Sequence, residues 1–171
     1  AVENHNLKKQ NNEYESKLFS SYDLIGNSKN ITTINDQIKK ISVTESRIFI
    51  NGPSGSGKEL IARKIHKNSS RNKNSFIILN GALLDSTKYE LELFGEEKEN
   101  GLISFGALEK ANKGTLLIDH ISEIPLDIQS KILRVLIDQK FKRINGTQDI
   151  NVDVRLICSS NSDLKKEILN G

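Results

Sequence analysis

The eight residues Gly52-Pro53-Ser54-Gly55-Ser56-Gly57-Lys58-Glu59 restrict this chain more than any other stretch of it. Three glycines let the backbone curl with its N–H groups turned inward, since glycine alone accepts the required dihedrals cheaply. A short apolar strand, Arg47 to Asn51, runs into the loop, and a helix opens from Lys58. The first amides and the dipole of such a helix favour phosphate oxygens. Lys58 adds a mobile positive charge for the outer phosphates. The pattern ends in Glu59, where a phosphate loop usually carries Ser or Thr. That hydroxyl ordinarily helps to hold Mg²⁺, and Glu59 could hold the ion directly or through water. The other reading is a degenerate loop that keeps only the shape.

Around the loop, apolar strands alternate with amphipathic helices. Ile31, Ile34, Ile38 and Ile41 recur at three- and four-residue intervals and predict a helix. Strands are expected at Phe76–Leu79, Thr115–Asp119 and Val154–Cys158, and helices at Lys58 to about Asn68, Tyr89–Phe94 and Phe105–Ala111. Pro125 suits the first turn of a further helix with Ile128, Ile132, Leu133, Leu136 and Ile137 as its apolar stripe. Phe141–Asp153 reads as a hairpin turning at Asn145-Gly146, and a short helix closes the chain. Continuous apolar strands between such helices imply an α/β fold with a mostly parallel sheet covered on both faces. Ligands of these folds sit beyond the carboxyl ends of the strands. Asn51, Asn80, Asp119 and Ser159 to Asn161 each follow a strand and so face the loop's rim. Asp119 is the natural carboxylate to hold Mg²⁺ through its water shell, or else a strand-end cap. Asn161 would sense the terminal phosphate or help to place water, or else is a plain turn residue.

Composition excludes several classes. The chain has 171 residues, 36% of them hydrophobic, enough for one domain with an appendage. The net charge of +3 is spread along the chain and gives no case for a nucleic-acid surface. Cys158 is the single cysteine, which excludes an internal disulfide and suits a reducing cytoplasm; its apolar neighbours predict a buried structural thiol. No run is long and apolar enough for a membrane span, so no membrane partner is expected. Residues 1–21 are polar, with Leu7, Tyr14 and Leu18 at roughly heptad spacing: the end of a linker helix or a solvated tail. They precede a domain covering 22–171. There is no methionine and the chain begins at Ala1, so a piece of something longer is expected.

Four stretches carry a family resemblance: GPSGSGKELIARKIH, ELFGEE, ANKGTLLIDHISEIPLDIQSKILRVLIDQKFKRING and VDVRLICSSNSDL. Together they resemble the AAA+ domain of sigma-54-dependent transcription activators, most nearly the NtrX-type two-component response regulators. The resemblance runs from about Leu24 to the end, and the Lys-Glu ending of the phosphate loop is usual there. It implies a phosphate-loop NTPase of three layers that binds ATP and Mg²⁺, self-associates into a dimer or ring, and remodels sigma-54 RNA polymerase. Carried over, Gly52, Pro53, Ser54, Gly55, Ser56, Gly57, Lys58 and Glu59 bind phosphates, and Asp119 assists the ion. Asn161 matches the first sensor, and Asn80 the asparagine that holds the catalytic glutamate in its switch position. Leu24, Ile25 and Gly26 match the segment near the adenine.

Three departures limit the resemblance. His120 stands where the family has the Glu that polarises the attacking water, which predicts weak or absent hydrolysis. After ELFG, residues 96–104 are shorter than the family's sigma-54-contacting loop and lack its GAFTGA motif, as in NtrX-type proteins; a plain solvated loop is expected and sigma-54 contact is disfavoured. The arginine fingers, second sensor, helical lid and DNA-binding helix-turn-helix have no counterpart before Gly171. A sensor kinase and DNA would be reached only through other domains. The reading is an ATP-binding regulatory domain; the alternatives are a working sigma-54-type ATPase and a remnant that neither binds nor hydrolyses.

Overall fold

The computed structural model describes residues 24–83 and 88–170; the linker reading for 1–21 lies outside them. The chain opens with α1 (Lys29–Ser42), whose first turn is capped by Ser28, its hydroxyl accepting from the Ile31 amide at 3.3 Å. Ile38 is buried, and Ile34 and Ile41 pack beside it, so the three-and-four spacing seats one face of the helix on the sheet. β1 (Ile48–Asn51) leads through the loop to α2 (Lys58–Lys67) and then β2 (Phe76–Asn80). α3 (Tyr89–Phe94), β3 (Gly95–Glu97), β4 (Ile103–Phe105) and α4 (Ala107–Lys110) follow. β5 (Thr115–Asp119), α5 (Leu126–Asp138), β6 (Lys140–Phe141), β7 (Ile150–Asn151), β8 (Arg155–Ser160) and α6 (Leu164–Asn170) complete the order.

Among the described residues, four strands form the central sheet in the order β1-β8-β5-β2, all parallel. The central pair carries the core: Leu116, Leu117, Ile118 and Ile157 have no exposed surface. Their two-residue period divides them between layers. Leu117 and Ile157 meet Ile38, Ala62 and Ile65 of α1 and α2. Leu116, Ile118 and Leu156 meet Leu93, Leu108, Ile128 and Ile132 on the other face. This is the expected three-layer α/β arrangement, and alternate faces of one strand filling two cores is what makes β5 and β8 continuous apolar runs.

Several expectations need correction. Residues 96–104 are no plain solvated loop. β3 and β4 form an antiparallel hairpin, and Phe105 closes β4 instead of opening a helix, so α4 begins only at Ala107. The hairpin is tied to the one that follows α5: Glu97 N–H donates to Ile144 O and Ile144 N–H to Gly95 O, each at 3.0 Å. On α5 the buried stripe is Ile128, Ile132 and Val135 with Leu136 beside it, whereas Leu133 and Ile137 are exposed. The helix packs through a narrower face than its apolar content suggested. The turn at Asn145-Gly146 stands as expected, with Asn145 at φ 60° and Gly146 N–H bonded to Arg143 O at 3.0 Å. Its flanking strands β6 and β7 pair over only two residues each.

Candidate functional site

Parallel register gathers the strand ends into one row. Asn51 lies beside Ser160, and Asn80 beside Asp119. The pairing of β5 with β8 brings Ser159 against Asp119, and the Ser159 hydroxyl donates to Asp119 Oδ1. The phosphate loop rises from the same edge, with Gly52 N–H bonded to Ser160 O at 3.2 Å. Gly57 caps α2 at φ 85°, a left-handed conformation that a side chain would strain. That single dihedral turns the loop into the helix. Lys58 is buried, and its Nζ donates to Gly52 O at 2.9 Å and Pro53 O at 3.1 Å, so the charge folds back across the loop it would serve. Ser54, Gly55 and Ser56 are exposed at the crown, where phosphate oxygens would approach.

Glu59 is differently placed from a hydroxyl at the loop's end. Its Oε1 accepts from Arg63 Nε at 2.8 Å, one turn along α2, and the side chain is half exposed. Asp119 has a fuller environment. Besides Ser159, the His120 backbone N–H donates to Oδ1 at 3.1 Å. His120 adopts φ 56° and ψ 49°, left-handed for a residue with a side chain. Its Nδ1 lies 3.2 Å from Asp119 Oδ2, yet Nδ1 is buried and has no hydrogen-bond partner. An orphaned nitrogen beside a carboxylate oxygen with free lone pairs is a donor set that fits a divalent cation.

The sensor positions sit on the same rim with other engagements. Asn80 Oδ1 accepts from Ala82 N–H at 2.9 Å, capping the short turn at Gly81–Leu83. Asn161 is exposed just past β8. Leu24 packs against the cluster of Ile38, Ala62, Ile65, Leu117 and Ile157, whereas Ile25 is exposed and Gly26 turns at φ 151°. The structure therefore brings together the loop, Lys58, Asp119, His120, Asn80 and the β8 end, and sends Glu59 along the helix flank.

Sequence reasoning missed three supports. In the sequence Ser159 is only one of a row of strand-end residues, and its bond to Asp119 follows from register alone. Gly81 has no room for a side chain: a Cβ would stand 2.6 Å from His120 O. Tyr89 is buried, and its hydroxyl donates to Gly81 O at 2.6 Å, anchoring α3 to the rim. A Gly directly after a strand-end Asn was the one available signal. The broad clefts lie elsewhere, one of 510 Å³ beside α5 lined by Phe94, Val135 and Phe141. Its rim charges are paired, Lys131 with Glu90 and Lys140 with Asp149, whereas a phosphate loop grips through backbone N–H groups and needs no deep cavity.

Comparison with known proteins places this geometry in a family. The sigma-54 interaction domain matches residues 24–171. The nitrogen assimilation regulatory protein NtrX of Azorhizobium caulinodans is 40% identical over 172 residues, covering 100% of this chain and 38% of its own. Among solved structures, NtrX from Brucella abortus in complex with ADP superposes with a TM-score of 0.88 at 40% identity, over 99% of this chain and 38% of that one. The same protein in complex with ATP gives 0.87 at 40% identity, over 97% and 38%. The chain thus spans less than two-fifths of the length of these relatives. A phosphate loop between strand and helix, an aspartate ending the strand next but one in the sheet and a match over the described residues agree: the chain belongs to the sigma-54 interaction domain family of transcriptional regulators.

Proposed function

We propose that this domain binds ATP together with a divalent cation as the regulatory module of a bacterial two-component transcriptional regulator of NtrX type, and that it hydrolyses the nucleotide weakly or not at all. The observation that carries the reading is the shared rim of Lys58, Asp119 and His120. Gly52 to Gly57 would wrap the phosphates with backbone N–H groups, and Lys58 would exchange its carbonyl partners for phosphate oxygens. Asp119 would hold the cation, which when bound offsets the charge of the phosphate oxygens. Glu59 would join it only by leaving Arg63. The adenine would lie near Leu24 to Gly26, with Asn161 near the terminal phosphate.

Weak hydrolysis follows from His120. An imidazole carries no negative charge to polarise a water, and here one ring nitrogen is turned onto Asp119. Asn80, engaged by Ala82, then lacks the carboxylate it would position. ATP would in this case drive assembly or conformation, with the domain pairing or closing a ring with its own kind. Contacts to a sensor kinase and to DNA belong to other parts of a longer regulator. The hairpin of β3 and β4, in place of a long contact loop, speaks against sigma-54 remodelling. Among the described residues no helix is long and apolar enough to cross a membrane, which agrees with a cytoplasmic regulator without requiring one.

The test is titration with a fluorescent ATP analogue. We expect saturable binding, weakened at least about tenfold in Lys58→Ala, corresponding to the loss of one charge-assisted phosphate contact. Phosphate release should stay near background in the wild type and rise in His120→Glu. No binding by the wild type would sink the proposal; rapid release abolished by Lys58→Ala would sink its hydrolysis half.

A further inference from the structure

We propose that His120 is a nitrogen ligand to the cation that accompanies the nucleotide, and that the Asp119–His120 pair makes this site favour a first-row transition ion of the Fe²⁺ to Zn²⁺ class over Mg²⁺. The inference rests on the proposed nucleotide binding and concerns the same rim.

The conformation comes first. A left-handed backbone is unfavourable for a residue with a Cβ, and His120 holds one at φ 56°. The turn packs tightly on Gly81: His120 O and Asp119 O close over it, where a Cβ would stand 2.6 Å from the first and 3.2 Å from the second. The imidazole lies alongside the preceding carboxylate. Nδ1 is one of two buried side-chain atoms without a hydrogen-bond partner among the described residues. Leaving such an atom unsatisfied is unfavourable, because its hydration is lost without replacement. Its neighbour is Asp119 Oδ2 at 3.2 Å, in an alignment that makes no hydrogen bond.

The carboxylate is divided in its duties. Oδ1 takes both the Ser159 hydroxyl and the His120 N–H, which fixes the plane of the group and leaves Oδ2 open. With the ring proton on Nε2, Nδ1 and Oδ2 each present a lone pair. Two donors roughly 2.1 Å from a common ion stand about 3.0 Å apart at a right angle and about 3.4 Å apart at the tetrahedral angle. The observed 3.2 Å falls between, so the pair has the bite of a chelate; because Nδ1 is buried, the ring must turn outward for an ion to enter.

Ligand chemistry then decides the metal. Mg²⁺ takes oxygen ligands, keeps several waters and gains little from imidazole. Ions from Fe²⁺ to Zn²⁺ bind imidazole nitrogen well. A glutamate at position 120 would leave an all-oxygen set suited to Mg²⁺. Histidine there replaces one oxygen with nitrogen, so the residue that removes the water-polarising carboxylate also changes the ion the site retains. Both consequences come from one side chain.

The experiment titrates the protein, saturated with a non-hydrolysable ATP analogue, with Co²⁺ and separately with Mg²⁺. Relative to the analogue free in solution, the protein should raise the Co²⁺ over Mg²⁺ preference by roughly tenfold or more. The Co²⁺ complex should show a hyperfine-shifted, exchangeable imidazole proton in its NMR spectrum. His120→Gly takes the same dihedrals freely; it should lose both the shifted proton and the surplus preference while still binding the analogue. His120→Glu should return the preference toward Mg²⁺. The wild-type spectrum is informative whether or not the variants fold. Binding of the analogue without a shifted proton, and with equal preferences in wild type and His120→Gly, would overturn this proposal and leave the nucleotide reading standing. Failure of the analogue to bind in EDTA and with either metal would overturn both.

Discussion

At the scale of single residues, two side chains show how burial decides chemistry. His66, at the end of α2, is buried against β5, with Nδ1 2.8 Å from Thr115 Oγ1 and the ring tilted against Phe76 at 5.2 Å. Burial holds its pKa below the ordinary value of 6.5, a hydrogen bond with the Asn74 backbone opposing in part. The folded state therefore keeps the ring neutral, while the unfolded chain takes up a proton near pH 6.5. Stability from this site is complete above that pH, falls as the pH drops toward the lower folded value, and is constant below it; the slope cannot exceed about 1.4 kcal/mol per pH unit. In urea denaturation from pH 7.5 to pH 5, the wild type should lose stability relative to His66→Gln, which has no such proton to take up. A gap that does not change with pH would show His66 to be irrelevant to acid stability. Cys158 follows the same rule with opposite sign. Burial pushes the thiol up to about 12, which disfavours the reactive thiolate, although the residue is only partly buried where a buried structural thiol was expected.

At the scale of elements, the two hairpins behave as one unit because of Arg143. Its guanidinium is buried and forked, donating from Nε to Glu109 Oε1 at 2.8 Å and from Nη2 to Oε2 at 2.6 Å. Nη1 donates to Glu97 Oε1 at 2.8 Å, and the group lies 5.5 Å over the Phe105 ring. The bond to Glu109, joined by that to Glu97, outweighs burial and raises its pKa above the usual guanidinium value. α4, β3 and the turn before Asn145 are thus held by one side chain. Removing it leaves Glu109 nearly enclosed and unpaired, which costs about 3–5 kcal/mol. Arg143→Ala should lower the urea midpoint accordingly and speed amide exchange at Glu97 and Ile144. Arg143→Lys should recover less than half, since an ammonium cannot fork onto a carboxylate. A loss below about 1 kcal/mol in Arg143→Ala would mean that the hairpins are held by their backbone bonds alone.

At the scale of the whole molecule, strand order sets which parts open first. β5 and β8 are flanked on both sides, whereas β1 and β2 are the sheet's edges. Leu117 and Ile157 of the central pair have no exposed surface, while Phe49 on β1 is 47% exposed. Hydrogen exchange should be slowest at residues 115–118 and 155–159, faster along residues 48–51, with a nucleotide slowing the edge strand more than the centre because the loop grows from it. Equal protection of all four strands would contradict this order.

The phosphate loop, the alternation of strands and helices and the apolar face of α1 were legible along the chain because each is a local pattern: glycine spacing, a period of two, a period of three to four. The α5 stripe misleads at Leu133 and Ile137, because periodicity counts apolar residues and not the width of the surface they meet. The hairpin at 95–105 was hidden for a related reason. It is tied down by Ile144 and by Arg143, the latter 46 residues from its partner Glu97, and nothing within the segment announces them. His120 is conspicuous in the sequence as a departure, but its meaning there is only negative, a missing carboxylate. Only the folded chain sets its nitrogen 3.2 Å from Asp119, with the turn packed on Gly81 and Asp119 braced by Ser159 from another strand. What the sequence determined by itself was the loop and the layers, since local geometry and burial period are written in neighbouring residues. What tertiary structure alone decided was the bracing of that donor pair, because register between parallel strands sets Ser159 against Asp119, residues that the chain keeps far apart.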